Sequence, residues 1–278
     1  MEQARARREK FRVQRTILTL GIAAFVACAP RLSHSTDEDQ TPEPWTFRVT
    51  ASVMAADVSG ETEFTAGQTV GGNVIRGEID YSNVYPDPQP LPFVDLAASN
   101  AEWSATIRGQ YLSWDDVALL ANRTLIEESS WFLEADVSHS VGTRWAVFLG
   151  LRYFEFELSL QTVLNPPLPP LPAMVTNQSW VDPLAGAAFR YPLGERWELA
   201  GRGDIGGFGV GSELSWGLEA TVLWKIGTHS GLVGGYRVFD VDFEEENTYS
   251  FPDGSQLTVP DSYDTRTNGP TLGMTFQW

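Results

Sequence analysis

The sequence predicts an all-β fold, a transmembrane antiparallel up-and-down β-barrel of about ten strands, and three observations carry that expectation. From Trp45 onward, apolar and polar residues alternate in segments of roughly ten residues separated by turn residues. The links between segments alternate between short and long, as periplasmic turns and outer loops do. Tryptophans mark the segment ends, where the two membrane interfaces would lie.

Ahead of the barrel, a basic stretch is followed by the apolar run Thr16 to Ala29, the layout of a secretory signal, so residues 1–29 are read as a signal peptide. That run is shorter than the roughly 20 residues a membrane helix needs. Ala27-Cys28-Ala29 supplies an A-x-A cleavage pattern. Phe25-Val26-Ala27-Cys28 resembles the lipobox of bacterial lipoproteins, which would make Cys28 an acylated N-terminus, and the two readings stand side by side with cleavage preferred. Cys28 is the only cysteine, so no intrachain disulfide can form. Residues 30–44 are polar without an apolar period and read as a flexible lead-in to the barrel at 45–278. The full chain has a formal charge of -17, and without residues 1–29, which hold six basic and two acidic side chains, it is -21. Such acidity argues against nucleic acid as a partner.

The expected strands are 45–58, 101–108, 112–121, 131–138, 145–160, 179–191, 197–208, 213–225, 231–243 and 263–278. The first sets Trp45, Phe47, Val49, Ala51 and Val53 against Thr46, Arg48, Thr50 and Ser52; the fourth sets Trp131, Leu133, Ala135 and Val137 against Phe132, Glu134 and Asp136. The third is the least regular, and Asp115-Asp116 is read as a bulge. Short turns are expected at 109–111, 141–143, 192–195 and 226–229, and long links at 59–100, 122–130, 162–178 and 244–262. The proline-rich runs at 85–92 and 165–172 are read as stiff loops, and Glu244-Glu245-Glu246 as a solvated tip.

Gly201-Arg202-Gly203-Asp204-Ile205-Gly206 matches the dinucleotide fingerprint G-x-G-x-x-G letter for letter. That fingerprint needs a helix after the turn, so that amides face a pyrophosphate. Here Leu214, Trp216, Leu218, Ala220, Val222 and Trp224 fall on every second position, so a strand follows, and the stretch is read as one arm of a glycine-rich hairpin.

Alternation alone does not say which face points inward. Mid-strand charges (Arg152, Arg202, Asp204, Glu219 and Arg237) on the polar faces favour a polar lumen whose charges neutralise one another, and hence an apolar exterior. Pair counting puts Glu219 level with Arg202 on one neighbouring strand and Arg237 on the other, so an Arg202, Glu219, Arg237 cluster is expected. The last seven residues, Leu272 to Trp278, alternate and end on an aromatic. That ending resembles the C-terminal assembly signal of bacterial outer-membrane proteins, with Phe276 and Trp278 as its aromatics. The runs at 180–216 and 231–243 are similar to small outer-membrane barrels of Gram-negative bacteria of the outer membrane protein W class, over roughly the last third of the chain. The resemblance implies an outer-membrane location, with outer-membrane lipid, lipopolysaccharide and the barrel assembly machinery as partners, and carries over no catalytic residue.

The function expected first is a largely filled barrel with a structural or surface-interaction role, and second a narrow channel for small solutes. An enzyme comes third, because His34, His139 and His229 are not set beside a serine and a carboxylate at the rim, and no His or Cys spacing fits a metal. No cofactor is expected.

Overall fold

The computed structural model describes residues 44–70, 73–85, 87–119, 124–162, 174–250 and 254–278. The expected signal peptide, Cys28, and the lead-in as far as residue 43 lie outside the described residues. Eleven strands and one short helix follow in order: β1 (Thr46–Val70), β2 (Asn73–Asp80), α1 (Tyr81–Val84), β3 (Gln89–Ser99), β4 (Trp103–Leu119), β5 (Thr124–Val141), β6 (Trp145–Thr162), β7 (Met174–Pro192), β8 (Trp197–Gly207), β9 (Leu214–Lys225), β10 (Ser230–Ser250) and β11 (Gln256–Gln277).

Ten of these strands form a closed antiparallel ring, in which each pairs with its neighbour in sequence and β11 returns to β1. Closure satisfies every ladder donor that a lipid environment would otherwise leave unpaired. β2 is the eleventh strand. It pairs only with the upper part of β1, from Glu61↔Asp80 to Val70↔Asn73, above the level where β3 leaves β1 at Ala56↔Gln89. The chain then turns through α1, capped by the Asp80 carboxylate on the Ser82 amide at 2.9 Å, and descends as β3.

The strand count of about ten holds for the ring, although two of its expected members were misplaced. β3 lies within the expected loop 59–100, and the expected second and third strands are one strand, β4, running straight through the expected turn at Gly109-Gln110-Tyr111. The short turn on that side is instead Asn100 to Glu102, where the Asn100 side chain accepts from the amides of Glu102 and Trp103. β3 escaped notice because of Pro90 and Pro92. β4 accompanies β3 only from Phe93 onward, so the first four residues of β3 have a free edge where proline's missing donor costs nothing. The expected bulge at Asp115-Asp116 is present, as a register shift of the β4–β5 ladder between Asp115 and Val117, whereas the expected break at Gly109 is continuous ladder, with Gly109 paired to Val94 and Leu133.

Outward faces are apolar: Leu149 is 70 % exposed, and Val53, Leu96, Val147, Leu151, Leu218 and Leu272 all face out. Trp45, Trp103, Trp145, Trp197, Trp224 and Trp278 ring the end with the short turns, and Tyr111 lies tilted against Trp131 ten residues up β5 from Val141. Ten tilted residues climb about 25 Å, the height of the apolar band of an outer-membrane barrel. A closed ring with that band between two girdles is built to sit in a bilayer. Trp180, expected in a girdle, is a correction: it points inward, is only 5 % exposed, and stacks on Phe243 with ring centroids 4.0 Å apart. Its alternation with Asp182 and Leu184 puts all three on the lumen face of β7.

Wall height is uneven. β8 and β9 stop at Gly207 and Leu214, close to the outer girdle, while β7 and β10 continue for about ten more residues. Above the β8–β9 hairpin no backbone ladder joins β7 to β10 among the described residues, and the Trp180–Phe243 stack bridges the gap.

Candidate functional site

Inward alternation on seven strands, β3 to β6 and β8 to β10, delivers a belt of charge across the middle of the lumen. Arg152 on β6 is fully buried, and its Nε and Nη2 donate to Glu134 Oε2 on β5 at 3.0 and 2.7 Å. Nη2 also pairs with Asp204 on β8, and Nη1 donates to Ser215 Oγ on β9 at 3.2 Å. Arg202 on β8 reaches Glu134 Oε1 at 2.6 Å and Asp136 Oδ2 at 3.0 Å, with its guanidinium 3.8 Å from the Phe148 ring centre. Arg108 on β4 joins Asp95 on β3 at 2.5 Å to Glu219 on β9 at 2.9 Å. Arg108–Glu219 joins β4 to β9 and Arg202–Glu134 joins β8 to β5, so these two pairs brace the barrel across its lumen.

The ladder places Glu219 opposite both Arg202 and Arg237, the level expected from pair counting. The ion pairs nevertheless differ from the expected cluster. Glu219 is taken by Arg108 across the lumen, Arg202 belongs to Glu134 and Asp136, and Arg237 makes no ion pair among the described residues. Long side chains on a common face splay away from the ladder, and the narrow interior lets a guanidinium reach a strand far away in sequence as easily as its neighbour. Arg108, Glu134 and Asp136, marked by the pattern only as polar-face residues, and Asp95, expected in the long link 59–100, thus belong to the site.

The glycine-rich stretch has a structural use. Gly207, Phe208 and Gly209 have φ of 87°, 55° and 70°, which turns the β8–β9 link inward until Ser212 is fully buried. Its amide and Oγ each donate to Asp182 at 2.7 Å, and Ser215 Oγ adds a third bond at 3.0 Å. A Cβ on Gly211 would lie 2.5 Å from both the Val181 carbonyl oxygen and Asp182 Oδ1. Only glycine lets the backbone come that close. The fingerprint residues Gly201 to Gly206 sit in β8 with a strand after them, the hairpin arrangement.

Two cavities flank the belt. The inner one, about 180 Å³, lies toward the short-turn end and is lined by Arg48, Arg190 and Glu198, with Arg108, Arg202 and Glu219 at the belt. The outer one, about 60 Å³, has walls of Phe132, Phe154, Trp180, Phe239 and Tyr263 and contains Arg237 and Glu128. Its roof is formed by α1 and its flanks, where Tyr81 and Tyr85 are buried with Phe64, Leu91, Phe156 and Leu158. Glu128 lies three residues beyond Trp131, outside the membrane band, and is 5 % exposed with Tyr85 Oη donating to it at 3.1 Å. Burial raises its carboxyl to about 7, although the tyrosine bond pulls the other way.

Phe276 and Trp278 stand at the closing seam. Trp278 exchanges backbone bonds with Phe47 at 2.9 and 3.0 Å, and Phe276 pairs with Val49 on one side and Ser230 on the other. His139 faces out beside Trp103, and His229 lies in the β9–β10 turn.

No family model matches the sequence, and no curated protein does so either. Solved structures do resemble it. The outer membrane protease OmpT from Escherichia coli aligns with 87 % of this chain and 99 % of its own, with a TM-score of 0.51 and 9 % identity. The translocator domain of autotransporter NalP from Neisseria meningitidis covers 94 % and 98 % at 11 % identity, with a TM-score of 0.40. Ail of Yersinia pestis covers 85 % and 99 % at 7 % identity, with a TM-score of 0.31. The chain therefore has the fold of an outer-membrane β-barrel, and at these identities the likeness extends to fold alone.

Proposed function

We propose that this protein is a closed outer-membrane barrel with a structural or surface-interaction role rather than a diffusion pore. The observation that carries the reading is the mid-height belt around fully buried Arg152, in which Arg108 pairs with Glu219 and Arg202 with Glu134 across the lumen. A pore needs a continuous wet path, and interlocked guanidinium and carboxylate groups fill that path with side chains. The tyrosines around α1 add a second barrier above it. Contacts would be made by the part of the wall outside the membrane. β10 and β11 run for 21 and 22 residues, about twice what a bilayer requires, so their upper halves stand on the order of 20 Å clear of it. The test is conductance in planar bilayers. The purified barrel is expected to give no resolvable single-channel steps; regular, saturating steps from wild-type protein would favour the narrow-channel alternative.

A further inference from the structure

Arg48 and Arg190 enter the inner cavity from walls that face each other. β1 and β7 are five strands apart in either direction around the ring. Arg48 lies two residues after the start of β1 and Arg190 two residues before the end of β7, and both line the cavity at the short-turn end. The two guanidinium groups are close enough to feel one another's charge. Among the described residues neither has an ion pair, and the one side-chain hydrogen bond of Arg48 is a 3.4 Å contact with Gln277 Oε1. Two like charges directed into one space repel. The carboxylates on the same wall are engaged elsewhere: Asp95 and Glu219 bond to Arg108 at 2.5 and 2.9 Å, and Glu198 stands 3.8 Å from Lys225. The mouth therefore sets three cations, Arg48, Arg190 and Lys225, against Glu198, an excess of two positive charges. The belt beneath holds four arginines against five carboxylates and leaves one negative charge, so the lumen from mouth to belt is net positive in a chain whose net charge is -17.

We propose that the inner cavity binds a tetrahedral oxyanion, a phosphate group above all, held between Arg48 and Arg190 and entering from the short-turn end. The shape follows from the two donors. Each planar guanidinium can give two parallel N–H bonds, so two of them reaching in from opposite walls can serve four oxygens. A carboxylate has two oxygens and satisfies one side only. The hydroxyls of Ser52, Thr106 and Thr221 line the same wall and have no side-chain partner among the described residues, so they can add donors. The apolar part of the wall, with Phe93, Leu223 and Val233, lowers the local polarity and strengthens the attraction between charges. Size agrees: about 180 Å³ exceeds the roughly 150 Å³ that admits benzene, so a phosphate, with fewer non-hydrogen atoms than benzene, fits. The belt closes the far side, which makes the site a cup that holds the anion rather than a passage for it.

The test is calorimetric titration of the full barrel in maltoside micelles, a phosphate-free host, with orthophosphate, sulfate, glycerol phosphate and acetate. Orthophosphate and sulfate are expected to saturate, each at least tenfold tighter than acetate. Glycerol phosphate separates two sources of the group, and both keep the site: binding as tight as orthophosphate assigns a monoester carried on a larger molecule, and weaker binding assigns the free ion. Arg48→Gln and Arg190→Gln are each expected to keep the heat-modifiable fold and to weaken orthophosphate binding at least tenfold. Arg196→Gln removes an exposed arginine from the β7–β8 turn at the same end, outside the cavity, and should leave the affinity within about twofold. Glu198→Gln removes the competing carboxylate and should tighten binding severalfold, which keeps the test open if an arginine variant does not fold. The proposal is overturned by absence of saturable binding up to ~10 mM, by equal affinity for acetate and orthophosphate, or by unchanged affinity in Arg48→Gln, Arg190→Gln or Glu198→Gln. A loss in Arg196→Gln as large as in Arg190→Gln would overturn it too, as the mark of diffuse attraction by the rim.

Discussion

Glu128 offers the sharpest quantitative test of the outer chamber. Its carboxyl is enclosed by Tyr81, Tyr85 and Tyr263, has one hydrogen bond, from Tyr85, and has no cation among the groups that shift it. The folded protein holds the proton up to about pH 7, whereas the unfolded chain releases it near 4.5. Below about 4.5 both states are protonated and the group contributes nothing to the pH dependence. Between there and about 7 the unfolded state sheds the proton first, so stability falls as pH rises; above about 7 both are ionised and the loss is constant. That loss is on the order of 3 kcal/mol. Glu128→Gln keeps an acceptor for the Tyr85 hydroxyl and cannot ionise, so it should match wild type at pH 4 and exceed its stability by a few kcal/mol at pH 8. Urea unfolding of the barrel in unilamellar vesicles, followed by tryptophan fluorescence from pH 4 to 9, measures the difference between the two curves. A variant that is less stable at pH 8, or a difference that does not change between pH 4.5 and 7, would refute the reasoning.

Three further outcomes are expected. Glu134→Gln weakens the acceptor shared by Arg152 and Arg202; breaking such a buried pair costs about 3 to 5 kcal/mol, read as a lower urea midpoint, and a midpoint within error of wild type would remove Glu134 as the hub. Gly211→Ala drives a Cβ into the Val181 carbonyl and the Asp182 carboxylate, so it should cost about 1 to 3 kcal/mol through lost Ser212 bonds, whereas Gly142→Ala, where the added Cβ meets nothing within 4 Å, should cost only the backbone term of its φ of 73°. Removing Phe276 to Trp278 deletes the partners of Phe47 and Val49 at the closing seam and should prevent insertion while export continues; a compact heat-sensitive band in outer-membrane fractions of the truncated form would count against an assembly role for this terminus.

Alternation along the chain was enough to determine the fold class, the outward face, and the level of Arg202, Glu219 and Arg237 on adjacent strands, because a period of two and a short turn together fix register. The same local signals failed where they were masked: prolines on the free edge of β3 imitated a loop, and Gly109-Gln110-Tyr111 inside β4 imitated a turn. Partner choice in the lumen was decided only by tertiary structure. Arg108 meets Glu219, Arg202 meets Glu134 and Arg152 meets Asp204, because ring closure brings β4 across to β9 and β5, β6 and β8 around one centre. No spacing in sequence encodes distances across a closed ring. The isolation of Arg237 follows from the same cause: it is left over when every nearby carboxylate has been claimed from another wall.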